Sequence, residues 1–295
     1  MTEVSPLNIH DLYAFKSAVK NGSLSKAALE LNYAQSNITM KIQSLEKLYG
    51  TKLFYRHNRG ITLTAKGEIL FEQVNKMIQL YEDTMKMMKE SEKAMGSLRI
   101  GSMETTAALH LPSLLTKFHH ENSDVDIIVS TGPSEESIKR VEEYELDGAF
   151  VAAPVSSPSI LSKELVVEEL VLVTSLEHPK VQFLKDLQAT TFICFRTGCF
   201  YRALLEQWLH TDGIVPRKMM EFGTLDGLVG CVAAGLGATL LPLSTVKKQA
   251  KFQPIQSHTI LDKQSKVPTI FIYRKNAYNS MALRNFLKIV EGFEG

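Results

Sequence analysis

Residues 67–95 contain no proline and no internal glycine, and their apolar side chains keep a strict rhythm. Val74, Tyr81, Met88 and Met95 recur every seven residues, Leu70, Met77 and Thr84 fill the second heptad position, and Ile78 and Met85 widen the stripe. An apolar period of about 3.5 residues, kept over about four heptads, describes a helix that needs a partner along one seam. The other reading of the same stripe is a long amphipathic helix docked on its own body. Either way a rod divides the chain, and the parts before and after it are read separately.

The part before the rod is short and basic. Residues 1–66 hold nine Lys/Arg against four acids, a charge of +5, while the remaining residues carry 24 bases and 28 acids, or −4. A small basic module on a mildly acidic body suggests a polyanion-binding head. Leu12, Phe15, Ala18 and Val19 lie at helical spacing and predict a first helix closed by Asn21-Gly22. Ser23 or Ser25 can cap a second helix through Ala27, Ala28 and Leu31, and a third follows from Gln35 to Leu48, stopping at Gly50. Two short strands, Phe54–Arg56 and Ile61–Leu63, flank a polar tip and read as a wing. A helix-turn-helix needs a small residue at the helix contact, a turn residue that tolerates φ > 0 and an apolar anchor on the second helix. Ala28, Asn32 and Ile38 supply these. The start of the third helix then enters the major groove. Gln35, Ser36, Thr39 and Met40 are the side chains able to reach base edges, Gln preferring adenine and Thr or Met meeting a thymine methyl.

The part after the rod opens at Gly96-Ser97 and alternates short apolar strands with helical stretches. The expected strands are Leu98–Gly101, Ile127–Ser130, Gly148–Val151, Leu170–Thr174, Thr191–Phe195, Met219–Phe222, Ala238–Leu241 and Thr269–Tyr273. This alternation implies an α/β architecture with mostly parallel sheets. With 44% hydrophobic and 22% charged residues the chain has a soluble, globular composition. No apolar run approaches the ~20 residues of a membrane span. No signal sequence opens the chain, so a cytoplasmic protein is expected. Cys194, Cys199 and Cys231 are an odd set without CxxC spacing. They read as reduced core thiols, with a Cys194–Cys199 redox pair as the sharper alternative.

The stretch NGSLSKAALELNYAQSNITMKIQSLEKLYGTKLFYRHNRGITLTAKGEIL resembles the DNA-binding region of LysR-type transcription regulators. Asp11, Leu12 and Phe15 of the first helix, Ala27, Ala28 and Leu31, the Gln35-Ser36 opening, Ile42, Leu45 and Glu46, Leu53, Phe54 and Arg56, and Leu63, Thr64 and Gly67 all carry the likeness. It continues through GSLRIG at 96–101, LDGAFV at 146–151 and VAAGLGATLLP at 232–242, nearly the whole chain. The resemblance implies an all-α winged helix-turn-helix over 1–66, a dimerising linker helix over 67–95 and an effector domain over 96–295. That domain would fold like periplasmic solute-binding proteins, with lobe I about 96–165 and 268–295 and lobe II about 166–267. It also implies a homotetramer built as a dimer of dimers on double-stranded promoter DNA. Ser23, Arg56, Arg59, Thr62, Thr64 and Lys66 sit where the family approaches the DNA backbone, and Arg, Lys and Thr are common phosphate donors. One departure matters. Thr39-Met40-Lys41 stands where many relatives have Ser-Arg-Gln, so Lys41 joins the expected DNA contacts and a relative's operator does not transfer.

In the resembled fold a small molecule binds between the lobes, against strand ends and helix N-termini. Ser102, Thr105 and Thr106 follow the first strand, and Thr131 and Ser134 follow the second. Arg196, Thr197 and Gly198 follow the strand at 191–195, with Arg202 and Thr224 beyond. Arg196 is the best cationic partner for a carboxylate, which makes a small organic anion the expected effector. No GxSxG, HExxH, P-loop or strand–GxGxxG–helix signature occurs, so neither catalysis nor a cofactor is expected. Two other functions compete: a solute-binding sensor without sequence-specific DNA recognition, and a nonspecific architectural DNA protein. The basic head argues against the first, the cleft-forming remainder against the second.

Overall fold

The computed structural model describes residues 7–58, 60–89, 94–260, 264–275 and 280–293. The chain forms two compact units, Met1–Lys89 and Glu90–Gly295.

In the first unit, α1 (Ile9–Asn21) starts where the Asn8 side chain accepts from the His10 N–H and ends on Gly22 at φ 59°. Ser23 caps α2 (Leu24–Glu30), and the turn after it passes through Asn32 at φ 55°. The α3 helix (Gln35–Tyr49) stops at Gly50, again left-handed at φ 63°. The wing is an antiparallel pair, β1 (Phe54–His57) and β2 (Gly60–Leu63). Its tip is tied to the end of α1, because Ile61 N–H donates to Gly22 O at 3.0 Å. A Cβ at position 60 would lie 2.4 Å from that carbonyl, so only glycine fits. Buried Glu46 of α3 accepts from Lys52 Nζ at 2.7 Å and Leu53 N–H at 3.0 Å, anchoring the chain as it enters the wing.

The rod is α4 (Ala65–Lys89); residues 90–93 of the expected helix lie outside the described residues, and Ala94-Met95, expected as its last residues, are not helical. Leu70, Val74 and Ile78 enter the unit's own core beside Leu12, Phe15, Ile38, Ile42 and Leu45. Further along, Leu80, Tyr81, Met85 and Met88 are 70%, 44%, 40% and 81% exposed. The heptad stripe therefore splits: its first half is an internal docking face and its second half is open.

The second unit begins with β3 (Gly96–Ser102), α5 (Glu104–Leu109), α6 (Leu111–Glu121), β4 (Val125–Thr131), α7 (Ser134–Glu142) and β5 (Gly148–Ala152). Both β4 and β5 pair with β3 in parallel. The long β6 (Ile160–Ser175) leads to β7 (Thr191–Phe195), α8 (Phe200–Thr211), β8 (Lys218–Phe222) and α9 (Leu225–Ala233). Then come β9 (Thr239–Pro242), α10 (Leu243–Gln249), β10 (Ile255–His258), β11 (Lys266–Arg274) and α11 (Met281–Glu291). The expectation of mostly parallel sheets is corrected here. β6 runs antiparallel to β9, β10 and β11, and β11 antiparallel to β5. The reason is geometric: the chain passes from one core to the other along β6 and returns along β11.

Two cores result. One holds Leu98, Phe118, Phe150, Phe271 and Phe286, with ring centroids of Phe150, Phe271 and Phe286 4.8–6.1 Å apart. The other holds Leu172, Leu184, Phe192, Leu205, Leu228 and Leu241. Among the described residues no helix is long and apolar enough to cross a membrane.

Candidate DNA interface and effector cleft

At the head of α3, Gln35, Ser36 and Met40 are exposed. Gln35 is held in place, its Oε1 accepting from Ser25 Oγ at 2.9 Å. Thr39 Oγ1 donates back to Gln35 O at 3.0 Å, which spends its proton and leaves its methyl for contact. Lys41 is a correction. Its Nζ lies 3.0 Å from Asp11 and 5.7 Å from the Tyr33 ring, so it braces α3 against α1 and is not free for DNA. Thr64 is a second correction: it is buried, donates to Lys52 O at 2.8 Å and accepts from Gly67 N–H at 3.0 Å. Its hydroxyl caps α4. Ser23 likewise uses its oxygen on the Lys26 N–H. Arg56, Thr62 and Lys66 are exposed, and Arg59 lies outside the described residues. The wing register pairs Thr62 with Tyr55 and Arg56 with Ile61. Side chains alternate across a strand, so Arg56 and Thr62 stand on opposite faces of the wing. Exposed Tyr55, which sequence reasoning missed, shares the Thr62 face.

Between the two cores of the second unit lies a cavity lined by Met103, Glu104, Thr105, Pro133, Ser134, Phe195, Arg196, Cys199, Tyr201 and Phe222. A wider hollow beside it is lined by Ser134, Glu135, Thr197, Gly198, Arg202 and Glu206. The N-termini of α7 and α8 both open here, and Glu135 N–H donates to Gly198 O at 3.3 Å across the cleft. Arg196 is exposed, and among the described residues its guanidinium has no partner. Arg202 is different. It lies 2.8 Å from Glu206 and 2.6 Å from Glu221, and donates to Phe195 O. The hydrogen bond to Glu206 leads in raising its pKa, burial opposes, and the bond to Glu221 adds to it. That guanidinium is already neutralised.

Four expected contacts fall away from the linings. Ser102 is fully buried and donates to Met103 O, Thr106 is buried, and Thr131 is exposed on the edge strand β4. Thr224 caps α9 by accepting from Gly227 N–H. Thr105, Ser134, Arg196, Thr197 and Gly198 do meet at the cleft.

Beneath the cavity Tyr201 is fully buried, and burial pushes its pKa up. Its hydroxyl sits beside Thr105 and Thr269 but makes no hydrogen bond of good geometry. Nearby, Glu168 of β6 is gripped by His110 Nε2 at 2.7 Å and Ser244 Oγ at 2.6 Å. Burial would raise the Glu168 pKa, but those bonds outweigh it and the net direction is down. Burial also pushes the Cys194 thiol up to about 12 and Cys199 upward. The reactive species is the thiolate, so this environment favours packing over redox exchange.

Comparison with known proteins agrees with both halves. Residues 9–68 match the family described as bacterial regulatory helix-turn-helix protein, lysR family, and residues 91–293 match the LysR substrate binding domain. The chain belongs to the LysR family. It is 48% identical to the HTH-type transcriptional regulator GltR of Bacillus subtilis (strain 168) over 281 residues, 95% of each chain. It is 39% identical to the HTH-type transcriptional regulator CzcR of Bacillus anthracis over 285 residues, 97% of each. Its fold is similar to full-length CbnR complexed with target DNA, with a TM-score of 0.66 at 22% identity, covering 96% of this chain and 99% of that one.

As a LysR-type regulator the protein is a DNA-binding transcription factor with an effector-binding domain, and not an enzyme. The solute-binding reading gives way because the matched family includes the DNA-binding head. Among the cleft residues that the sequence does not point to are Met103, Glu104, Pro133, Phe195, Cys199, Tyr201 and Phe222. No short motif marks them. Only Glu104 carried a usable signal, as an acid directly before the Thr105-Thr106 pair.

Proposed function

We propose that this LysR-type regulator reads its operator through Gln35, Ser36, Met40 and the Thr39 methyl, with Arg56, Thr62 and Lys66 on phosphates. The division of labour is a DNA-binding domain over 1–66, a linker over 67–95 that is helical to Lys89, and a regulatory domain over 96–295. Subunits pair along the open half of α4, and two pairs form a tetramer on promoter DNA in the cytoplasm. A small organic anion enters the cleft of the regulatory domain and sets the arrangement of the tetramer. The observation that carries this reading is Arg196, a cation without a partner in a cavity between two cores. A ligand regulates only by unequal affinity for two states.

The test has two arms. Gln35→Ala should cost roughly 1–3 kcal/mol on the cognate site and relax preference at one base pair, whereas Lys66→Ala weakens all sequences alike and flattens the salt dependence. Equal loss on random and cognate DNA for Gln35→Ala overturns the placement of α3. Arg196→Ala should weaken an anionic effector by about one to two decades, since charge-assisted bonds are worth about 1.5–3 kcal/mol. DNA affinity without effector should stay as it was.

A further inference from the structure

The cavity that holds Arg196 also holds an acid. Glu104, at the start of α5, lines the same space as Arg196, which follows β7 in the other core. Neither side chain has a hydrogen bond or ion pair among the described residues, and Glu104 is half-buried. Glu135 stands at the adjoining hollow, also without a side-chain partner, while Arg202 is consumed by Glu206 and Glu221. Among the described residues the unpaired charged side chains around the cleft are therefore two acids and one base. A plain carboxylate would satisfy Arg196 and then meet the like charge of Glu104, which disfavours it. A molecule bearing both signs satisfies both walls at once.

The rest of the lining suits a small organic skeleton. Met103, Phe195 and Phe222 offer apolar surface, and Thr105 and Ser134 add hydroxyl-bearing side chains to the lining. Pockets of this make-up bind by apolar contact and orient by a few placed polar groups. We infer that the effector is a zwitterion, an amino acid in class, whose carboxylate meets Arg196 and whose ammonium meets Glu104. This rests on the reading of the cleft as the effector site and replaces a purely anionic ligand by one that carries a carboxylate and an ammonium together.

The experiment is calorimetric titration of the full-length protein with two matched panels: the twenty L-amino acids, and the 2-hydroxy acids that keep each carboxylate and side chain but lose the ammonium. The expected result is at least one amino acid that binds, with its hydroxy acid at least about tenfold weaker. Glu104→Gln should shrink that gap to less than about threefold, by weakening the amino acid and tightening the hydroxy acid. Neither side chain has a hydrogen bond or ion pair among the described residues, so Glu104→Gln and Arg196→Ala should melt as wild type does. Hydroxy acids that bind as well as amino acids, or silence across both panels, overturn the zwitterion. A ligand that binds but ignores both Arg196→Ala and Glu104→Gln overturns the cleft reading itself.

Discussion

The two halves of α4 share one apolar rhythm and have opposite fates. At Leu70, Val74 and Ile78 the stripe is sealed into the core of the helix-turn-helix unit, with Val74 at 0% exposure, while Met77 on its flank is 41% exposed. From Leu80 to Met88 the same stripe is left open, Met88 at 81%. Periodicity thus reports that a face is apolar, not what covers it. Substitutions in the two halves should act on different equilibria: the first on folding of one chain, the second on association of two.

The largest effect should come from Val74→Asp. It places a charge without a partner in a dry core, costing several kcal/mol, and should abolish DNA binding along with cooperative melting of the N-terminal unit. A folded Val74→Asp protein would break the comparison. Truncation gives a graded version. Ile78→Ala should lose about 2–5 kcal/mol in denaturant titration, whereas Met88→Ala should stay within about 0.5 kcal/mol. Tyr81→Glu combined with Met88→Glu should leave the melting of the diluted chain nearly unchanged, yet remove the dimer in sedimentation. An unchanged sedimentation profile would mean the open half is not the seam.

The smallest effect is in acid, and it separates the two units. In the second, burial, with His178 adding to it, holds the pKa of His258 below 6.5. Its Nδ1 accepts from Val181 N–H and its Nε2 lies 2.8 Å from Thr174 Oγ1. The unfolded state takes up the proton first, so this contribution is full above about 6.5 and declines as pH falls from there through the folded pKa. In the first unit burial opposes ionisation of Glu46, but the bonds from Lys52 and Leu53 win and set its pKa below 4.5. That contribution is full above about 4.5 and is lost as pH falls through the lower, folded value. Mild acid should therefore erode the second unit before the first, and His258→Gln should flatten the slope that begins below about pH 6.5. Hydrogen exchange resolved by segment measures both.

What was legible in the sequence was local. The left-handed turns at Gly22, Asn32 and Gly50 follow from backbone chemistry within a few residues. Lys41 and Thr64 were misjudged because a side chain's choice between solvent and protein depends on distant neighbours. Asp11, which takes Lys41, lies 30 residues away, and Lys52, which takes Thr64, lies 12 away. Arg202 was lost in the same manner to Glu221, 19 residues on. The first half of β6 escaped notice because Lys163, Glu164, Glu168 and Glu169 interrupt its apolar pattern. Part of that polarity serves packing: Glu168 is buried under His110 and Ser244. The cleft was half legible. Strand ends pointed to Thr105, Ser134 and Arg196, while Tyr201 approaches from a helix with no signature and Phe222, at the end of an expected strand, is an apolar side chain that the search for polar contacts passes over.

The passage of β6 through both cores has a mechanical consequence. Sixteen residues of extended chain span roughly 50 Å, at about 3.3 Å per residue. Along that length β6 is bonded to β11 on one side of the crossing and to β9 and β10 on the other. The two cores share one strand, whose partner changes from β11 to β9 and β10 at Glu169-Leu170. A ligand that altered the cleft angle would have to twist β6 at that crossing, and its release would let the strand untwist without breaking a backbone bond.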